Sequence, residues 1–158
     1  MVGIAYDIHR LAAGESLILG GIKIESEIGT IAHSDGDVLI HSIIDALLGA
    51  ASLGDIGEHF PDTDPAYKNI NSQELLITIK KLLVKNNLKI INIDTTIILE
   101  KPNLKKYKLA IKNNIASLLD LLPNQVSIKA TTNEKLGSIG AGKAIAALAT
   151  CQLELLDN

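Results

Sequence analysis

Alternating apolar and polar positions predict strands at the start, in the middle and towards the end of the chain. Residues 1–11 fit one strand, and residues 15–25 fit two short strands on either side of Gly20 and Gly21. Residues 88–101 and 125–131 fit two further strands. In the longer of these, one face gathers alternate positions: Ile91, Ile93, Thr95, Ile97 and Leu99.

Apolar residues that recur every three to four positions predict three helices, over residues 35–52, 72–87 and 105–122. Ser34 suits the N-cap of the first, and Asn71 or Ser72 suits that of the second. Residues 54–71 are rich in Gly, Pro, Asp and Asn and read as a long surface loop. Residues 142–156 favour a helix by propensity but also fit a buried strand between glycines. The order of elements indicates an α+β or α/β fold.

Composition narrows the class of protein. The 158 residues suit one domain over 1–158, with 47% hydrophobic and 21% charged residues. The single cysteine excludes an internal disulfide, so we expect a reduced, cytoplasmic setting. No run of about 18 apolar residues predicts a membrane span, and the amino terminus does not resemble a signal peptide. With aromatics at 3%, nucleic-acid binding is not expected.

An acidic residue and two histidines suggest a metal site. Asp7 and His9 are two positions apart, so they point to the same side of the first strand. His41 lies between Asp37 and Asp45 on one line of the first helix. Asp7, His9 and His41 together would supply the three protein ligands of a catalytic zinc site, which keeps one open position.

Alternatives to this ligand set stay open at this point. Asp37 and Asp45 are candidates to hold the His41 imidazole from outside the ligand set. His33 and His59 are rival ligands, and spacing alone does not choose among the four histidines. Asp7 and His9 on the strand, and the line of Asp37, His41 and Asp45 on the helix, would also fit polar faces exposed to solvent.

A second cluster lies after the strand at 125–131. Thr131, Thr132 and Glu134 fit a phosphate site with a carboxylate for Mg²⁺, or a turn with local hydrogen bonds. Residues 137–143 match most of a P-loop, but Ala144 stands where its Ser or Thr is required, so that motif is rejected.

These motifs resemble one enzyme family over essentially the whole chain. The stretches DIHRL, AHSDGDVLIHSIIDALLGAASLGDIGEHFPDTDPAYK and KATTNEKLG are similar to the 2-C-methyl-D-erythritol 2,4-cyclodiphosphate synthases. The resemblance implies an α+β, ferredoxin-like subunit with a mixed sheet and helices packed on one face. It also implies a homotrimer whose sheets line the threefold axis, with active sites between subunits, and a strand at 142–156.

The resemblance also implies roles for individual residues. Asp7, His9 and His41 match the ligands of Zn²⁺ or another divalent cation, and Glu134 matches a ligand of Mg²⁺ or Mn²⁺ between the substrate phosphates. The remaining positions match contacts to substrate. These are His33, Ser34, Thr131 and the catalytic Thr132 for phosphates; Asp55 and Gly57 for methylerythritol; Leu99 to Leu104, including Pro102, with Ala130 for cytidine; and Pro61 and Asp62 in a lid over 61–71.

The family reaction starts from 4-diphosphocytidyl-2-C-methyl-D-erythritol 2-phosphate. Its 2-phosphate attacks the β-phosphorus, CMP leaves, and a cyclic diphosphate forms. Two other functions fit parts of the pattern: a metallo-phosphohydrolase and a non-catalytic cytidine-nucleotide-binding module. Asn103, Ser138 and Ala141 depart from the family pattern, the last two where it lines a central trimer cavity that holds isoprenoid diphosphates.

Overall fold

The computed structural model describes residues 1–32, 34–61 and 70–156, which form a mixed five-stranded sheet with helices against it. The sheet order is β4-β1-β7-β5-β6, with a separate hairpin β2-β3. The strands are β1 Val2–Ala13, β2 Leu17–Leu19, β3 Ile22–Ile24, β4 Ile28–Ile31, β5 Leu88–Ile98, β6 Val126–Thr131 and β7 Ala144–Leu155. Strands β5 and β6 pair in parallel, and the other neighbours pair antiparallel. The α+β class and the mixed sheet are confirmed.

The helices of the described residues are α1 Val38–Ala51, α2 Ile56–His59, α3 Ser72–Lys85, α4 Lys108–Leu118 and α5 Gly137–Gly140, with a 3₁₀ turn at Pro123–Gln125. Helix α1 is almost wholly buried and packs against β1, β7 and α3. Within the described ranges, no helix combines the length and apolar character needed to cross a membrane.

Strand β1 approaches α1 unusually closely, and glycine permits it. A Cβ atom added to Gly3 would lie 1.9 Å from the carbonyl oxygen of Ala46 and 2.7 Å from the amide nitrogen of Ala50. No side chain fits there, so the strand backbone lies directly on the helix. The same side of β1 continues through Ala5 to Asp7 and His9, and these two side chains are therefore held beside α1.

The other side of β1 is apolar and open. Val2, Ile4, Tyr6 and Ile8 are between 47% and 75% exposed, whereas the smaller or more polar residues between them face the helix layer. Leu148 on the neighbouring strand β7 is exposed on the same side, opposite Tyr6. Strand β1 thus turns its larger apolar side chains towards solvent in the isolated chain, which is the reverse of the usual arrangement.

The first helix begins later than the sequence predicts. Gly36, at φ +70°, interrupts the helical backbone, and Asp37 is the N-cap in place of Ser34. The Asp37 carboxylate accepts hydrogen bonds from the N–H groups of Ile40, Gly20 and Gly21, so it ties the β2-β3 turn to the start of α1.

Other boundaries also differ from the prediction. Strand β4 was not predicted, and α2 lies within the segment expected to be loop. The register shifts between Ile90 and Asn92, so Ile91 leaves the buried face that Ile93 and Ile97 share. Residues 144–155 form a strand despite their helical propensity, because β7 lies between β1 and β5, which supply its backbone hydrogen-bond partners on both sides, and seven of its twelve residues are buried.

Candidate active site

Three predicted ligands from β1 and α1 come together. The Oδ2 atom of Asp7 lies 3.2 Å from Nδ1 of His9 and 3.3 Å from Nδ1 of His41. One ligand atom from each residue lies within 4.8 Å of the other two, which is close enough for all three to reach one ion. The spacing in sequence left the choice of histidines open; in the structure, His9 and His41 are the histidines of this group.

The donor set fits a divalent metal ion. Two of its atoms, Asp7 Oδ2 and His9 Nδ1, are buried and have no hydrogen-bond partner. Burying polar atoms without partners is costly, so such atoms are rare in folded proteins. One carboxylate oxygen and two imidazole nitrogens are ligands that zinc accepts, with a fourth position left for another molecule. Asp7, His9 and His41 are therefore positioned to hold a metal ion.

The charges within the group also suit a cation. Burial acts to raise the pKa of Asp7, but the electrostatic attraction of the nearby His41 and His9 rings outweighs it and holds that pKa well below its usual range. The Asp7 side chain is therefore ionised at neutral pH. Its other oxygen, Oδ1, accepts the N–H of Ile8, which fixes the direction of the carboxylate.

The second ring nitrogen of His41 has partners of its own. Its Nε2 atom lies 2.9 Å from Oγ of Ser72 and 3.4 Å from Oγ of Ser34. Ser72 in turn donates its hydroxyl hydrogen and its backbone N–H to the carboxylate of Asp35. Sequence reasoning did not assign either Ser72 or Asp35 to the site, since neither has a spacing that connects it to His41.

Asp37 and Asp45, predicted to hold the His41 imidazole, have other hydrogen-bond partners in the structure. The side chain of Asp45 accepts the N–H of Ile56 at 2.7 Å, and that of Asp37 caps α1. Both carboxylates accept hydrogen bonds from backbone N–H groups, while the two ring nitrogens of His41 face Asp7 and Ser72. Asp37 acts on His41 through charge alone, as one of several acidic groups that raise the pKa of His41 against the effect of burial.

A cavity of about 380 Å³ lies where β5 and the edge strand β6 end. Its lining includes most of the residues predicted for cytidine and phosphate, namely Leu99, Glu100, Pro102, Asn103, Leu104, Ala130, Thr131 and Thr132. Lys105 and Lys108, which were not predicted to contact substrate, also line it. The Thr132 hydroxyl donates to Oε1 of Glu134 at 3.0 Å. Glu134 is exposed and has a left-handed backbone (φ +50°), which turns the chain sharply after β6.

The metal group and this cavity are well separated within one chain. Sheet pairing places Ile8 beside Ala146, Ala146 beside Ile98 and Ile98 beside Thr131. Asp7 and His9 flank Ile8, so Thr131 lies in the same row three strands away. At the usual spacing this is roughly 14 Å across the sheet.

The remaining predicted residues lie in several places. Asp55 and Gly57 are exposed around the start of α2, where the Asp55 side chain caps the helix by accepting the N–H of Glu58. Pro61 is exposed, while the predictions for His33, for Asp62 and for most of the lid lie outside the described residues. His59, a rival ligand, contacts the backbone oxygen of Leu53 and is not in the metal group.

Fold and site together define an α+β protein with a carboxylate and two histidines arranged for a metal ion. The sequence model of the YgbB family matches residues 1–154, and the chain belongs to this family. The 2-C-methyl-D-erythritol 2,4-cyclodiphosphate synthase of Clostridium novyi (strain NT) is 54% identical over 150 residues, which are 95% of this chain and 96% of that relative.

Solved structures agree with this assignment. The bifunctional IspDF from Campylobacter jejuni matches with a TM-score of 0.95 and 45% identity, over 99% of this chain and 42% of that one. A CDP-bound form of 2C-methyl-D-erythritol-2,4-cyclodiphosphate synthase matches with a TM-score of 0.91 and 34% identity, over 98% of this chain and 100% of that one.

Proposed function

We propose that this chain converts 4-diphosphocytidyl-2-C-methyl-D-erythritol 2-phosphate to 2-C-methyl-D-erythritol 2,4-cyclodiphosphate and CMP, in non-mevalonate isoprenoid biosynthesis. The observation that carries the proposal is the group of Asp7, His9 and His41, with two buried atoms that lack partners. Relatives at about half identity that bear this synthase name support the same activity.

The attacking oxygen belongs to the substrate, so no side-chain nucleophile is required. The 2-phosphate oxygen bonds to the β-phosphorus, and the bond from that phosphorus to the oxygen of the CMP group breaks. Asp7, His9 and His41 would hold Zn²⁺, and Glu134 would hold Mg²⁺ or Mn²⁺; once bound, such cations would offset the repulsion between the phosphates. The protein's own task is to hold the two ends together, which contributes up to roughly 7–11 kcal/mol in well-oriented intramolecular reactions.

The cavity beside β6 is proposed to bind the cytidine diphosphate part. The exposed hydroxyl groups of Thr131 and Thr132 can donate hydrogen bonds to phosphate oxygens. Lys105 and Lys108 add positive charge to the same lining. Asp55 and Gly57 are proposed to contact the methylerythritol hydroxyl groups, since the Asp55 carboxylate accepts only the Glu58 N–H among the contacts described.

The separation between the metal group and the cavity beside β6 supports an active site between subunits. Both must touch the same pair of phosphates, yet roughly 14 Å of sheet divides them within one chain. A neighbouring copy that brings its β6 end to the metal group would join them. We therefore propose that the cavity of one subunit completes the metal site of the next.

The open apolar side of the sheet supports the same assembly. Val2, Ile4, Tyr6 and Ile8 form a continuous exposed row along β1, and such a patch marks an interface. We propose a homotrimer of ferredoxin-like subunits, each one domain over residues 1–158, whose sheets face the threefold axis. A reduced, cytoplasmic setting remains a prediction from the single buried Cys151.

Product analysis in ¹⁸O-labelled water tests the activity. With Zn²⁺ and Mg²⁺, the protein should release CMP and the cyclic diphosphate in equal amounts, with no ¹⁸O in either product. An open-chain methylerythritol bisphosphate, with ¹⁸O in it or in CMP, would instead indicate a metallo-phosphohydrolase. Tight binding of substrate without release of CMP would indicate a nucleotide-binding module and would contradict the proposal.

A further inference from the structure

A chain of hydrogen bonds runs outward from the metal group to the half-buried carboxylate of Asp35. The Nε2 atom of His41 is 2.9 Å from the hydroxyl oxygen of Ser72, and that hydroxyl donates to Oδ1 of Asp35 at 2.5 Å. Ser72 is fully buried, and its backbone N–H also binds Oδ2 of Asp35 at 2.9 Å. These residues come from three places: the loop after β4, helix α1 and the first residue of α3.

The direction of the hydrogen bonds follows from the donors available. Oδ1 of Asp35 also accepts the N–H of Asp37, so the Asp35 carboxylate faces three donors and acts as acceptor throughout. The single hydroxyl hydrogen of Ser72 is therefore used on Asp35. Its oxygen accepts from His41, and Nε2 of His41 must carry the hydrogen.

Helix formation does not require the Ser72 hydroxyl. The N-cap of α3 is Asn71, whose side chain accepts the N–H of Gln73 at 2.9 Å. A serine at the next position could point its hydroxyl to solvent at little cost. Here it is buried between an imidazole and a carboxylate, which is the arrangement that orients histidine ligands of metals.

We propose that Ser72 and Asp35 are positioning residues that fix His41 in the tautomer with hydrogen on Nε2, so that Nδ1 faces Asp7 and His9 as a ready metal ligand. The negative charge of Asp35, relayed through the hydroxyl, also makes Nδ1 a stronger donor to the metal. This inference rests on the proposed metal centre and deepens it by naming the residues that preorganise it.

Zinc affinity of the Ser72→Ala and Asp35→Asn variants tests the proposal. Metal-free proteins are titrated with Zn²⁺ in competition with a chromophoric chelator, and thermal unfolding without metal checks that each variant folds. Both variants should bind Zn²⁺ about 10–100-fold more weakly, the usual effect of losing such a partner. Ser42→Ala is the matched control, because Ser42 is buried beside His41 in sequence but donates to the Leu39 carbonyl. Its affinity should be unchanged.

A spectroscopic readout separates positioning from general stability and applies to the unaltered chain. In the zinc-loaded protein, ¹H–¹⁵N correlation of the His41 ring should show zinc on Nδ1 and a slowly exchanging hydrogen on Nε2, which Ser72→Ala should expose to rapid exchange. Zinc on Nε2, or equal affinity in folded variants, would overturn the positioning role alone. Failure of the unaltered protein to bind zinc would overturn the metal centre as well.

Discussion

Nδ1 of His41 lies 3.3 Å from Oδ2 of Asp7, although the two residues belong to a helix and to a strand. The contact depends on the bare backbone of Gly3, which lets β1 lie directly on α1. Because His9 approaches the same carboxylate oxygen, a small adjustment in how β1 packs would alter the whole group. The site is thus a consequence of the way the core is packed.

Replacing His41 with alanine should remove the metal and the activity together. We expect zinc content to fall to background and turnover to fall by more than about 100-fold, since even losing an outer partner of a ligand costs roughly 10–100-fold. Metal analysis and a CMP-release assay measure both. His59→Ala is the control, because His59 contacts only the Leu53 carbonyl and its ring neighbour Phe60 among the contacts described. Full activity of His41→Ala with one zinc per chain would show that the ligand assignment is wrong.

Glu134→Gln should affect the second cation and leave the zinc in place. Loss of one ligand charge weakens the binding of a divalent ion, so the Mg²⁺ concentration for half-maximal rate should rise about 10-fold or more. Zinc content should not change. Glu154→Gln is a suitable control, because Glu154 pairs with Lys89 at the other end of the sheet. A Mg²⁺ titration identical to that of the unaltered protein would count against this role for Glu134.

The open side of the sheet should hold the subunits together. Ile4→Asp places a charge on a side chain that is 75% exposed in the isolated chain but would be buried in a trimer. Light scattering should show the unaltered protein at three times its chain mass of 16.8 kDa and the variant at lower mass, with activity lost in parallel. Leu109→Asp, on α4 and 68% exposed, should remain trimeric. A monomeric, fully active enzyme would refute a site between subunits.

The buried carboxylate of Asp37 should make stability depend on pH. Burial raises the pKa of Asp37 from 3.8 to about 6, so the folded state holds a proton that the unfolded chain has lost between these values. Stability therefore falls as pH rises through this window, by roughly 3 kcal/mol at most, and is level above it.

Urea unfolding of the unaltered protein and of Asp37→Asn, at equal chain concentration from pH 4.5 to 7, measures this effect. The contributions of the other titratable groups cancel when the free energy of unfolding of one protein is subtracted from that of the other. The stability advantage of the unaltered protein should shrink with rising pH. If the advantage grows with pH instead, the prediction is wrong: the three hydrogen bonds that Asp37 accepts from backbone N–H groups outweigh burial and keep its carboxylate ionised.

The strands and helices with a clear period could be predicted from the sequence. β1, the hairpin at Gly20 and Gly21, β5 and α3 follow from local patterns, as does the pairing of Asp7 with His9 on one face. The contacts between elements that are far apart in the sequence could not be predicted from these local patterns. The bulge at Ile91 depends on the pairing of β5 with β7, and β4 is too short to show a period.

The parts of the site that sequence reasoning missed all depend on tertiary contacts. Asp35 and Ser72 meet only because α3 begins beside the loop after β4. Asp45 has the helical spacing of a partner for His41, but its carboxylate accepts the Ile56 N–H at the start of α2. Spacing limits which side chains can meet, whereas packing decides which of them do.

Anomalous diffraction at the zinc edge, from crystals grown with Zn²⁺, would test the central claim most directly. One peak per chain should lie about 2.0–2.2 Å from Asp7 Oδ2, His9 Nδ1 and His41 Nδ1, the range for zinc with oxygen and nitrogen ligands. An empty group, with zinc absent or bound elsewhere on the chain, would contradict the account.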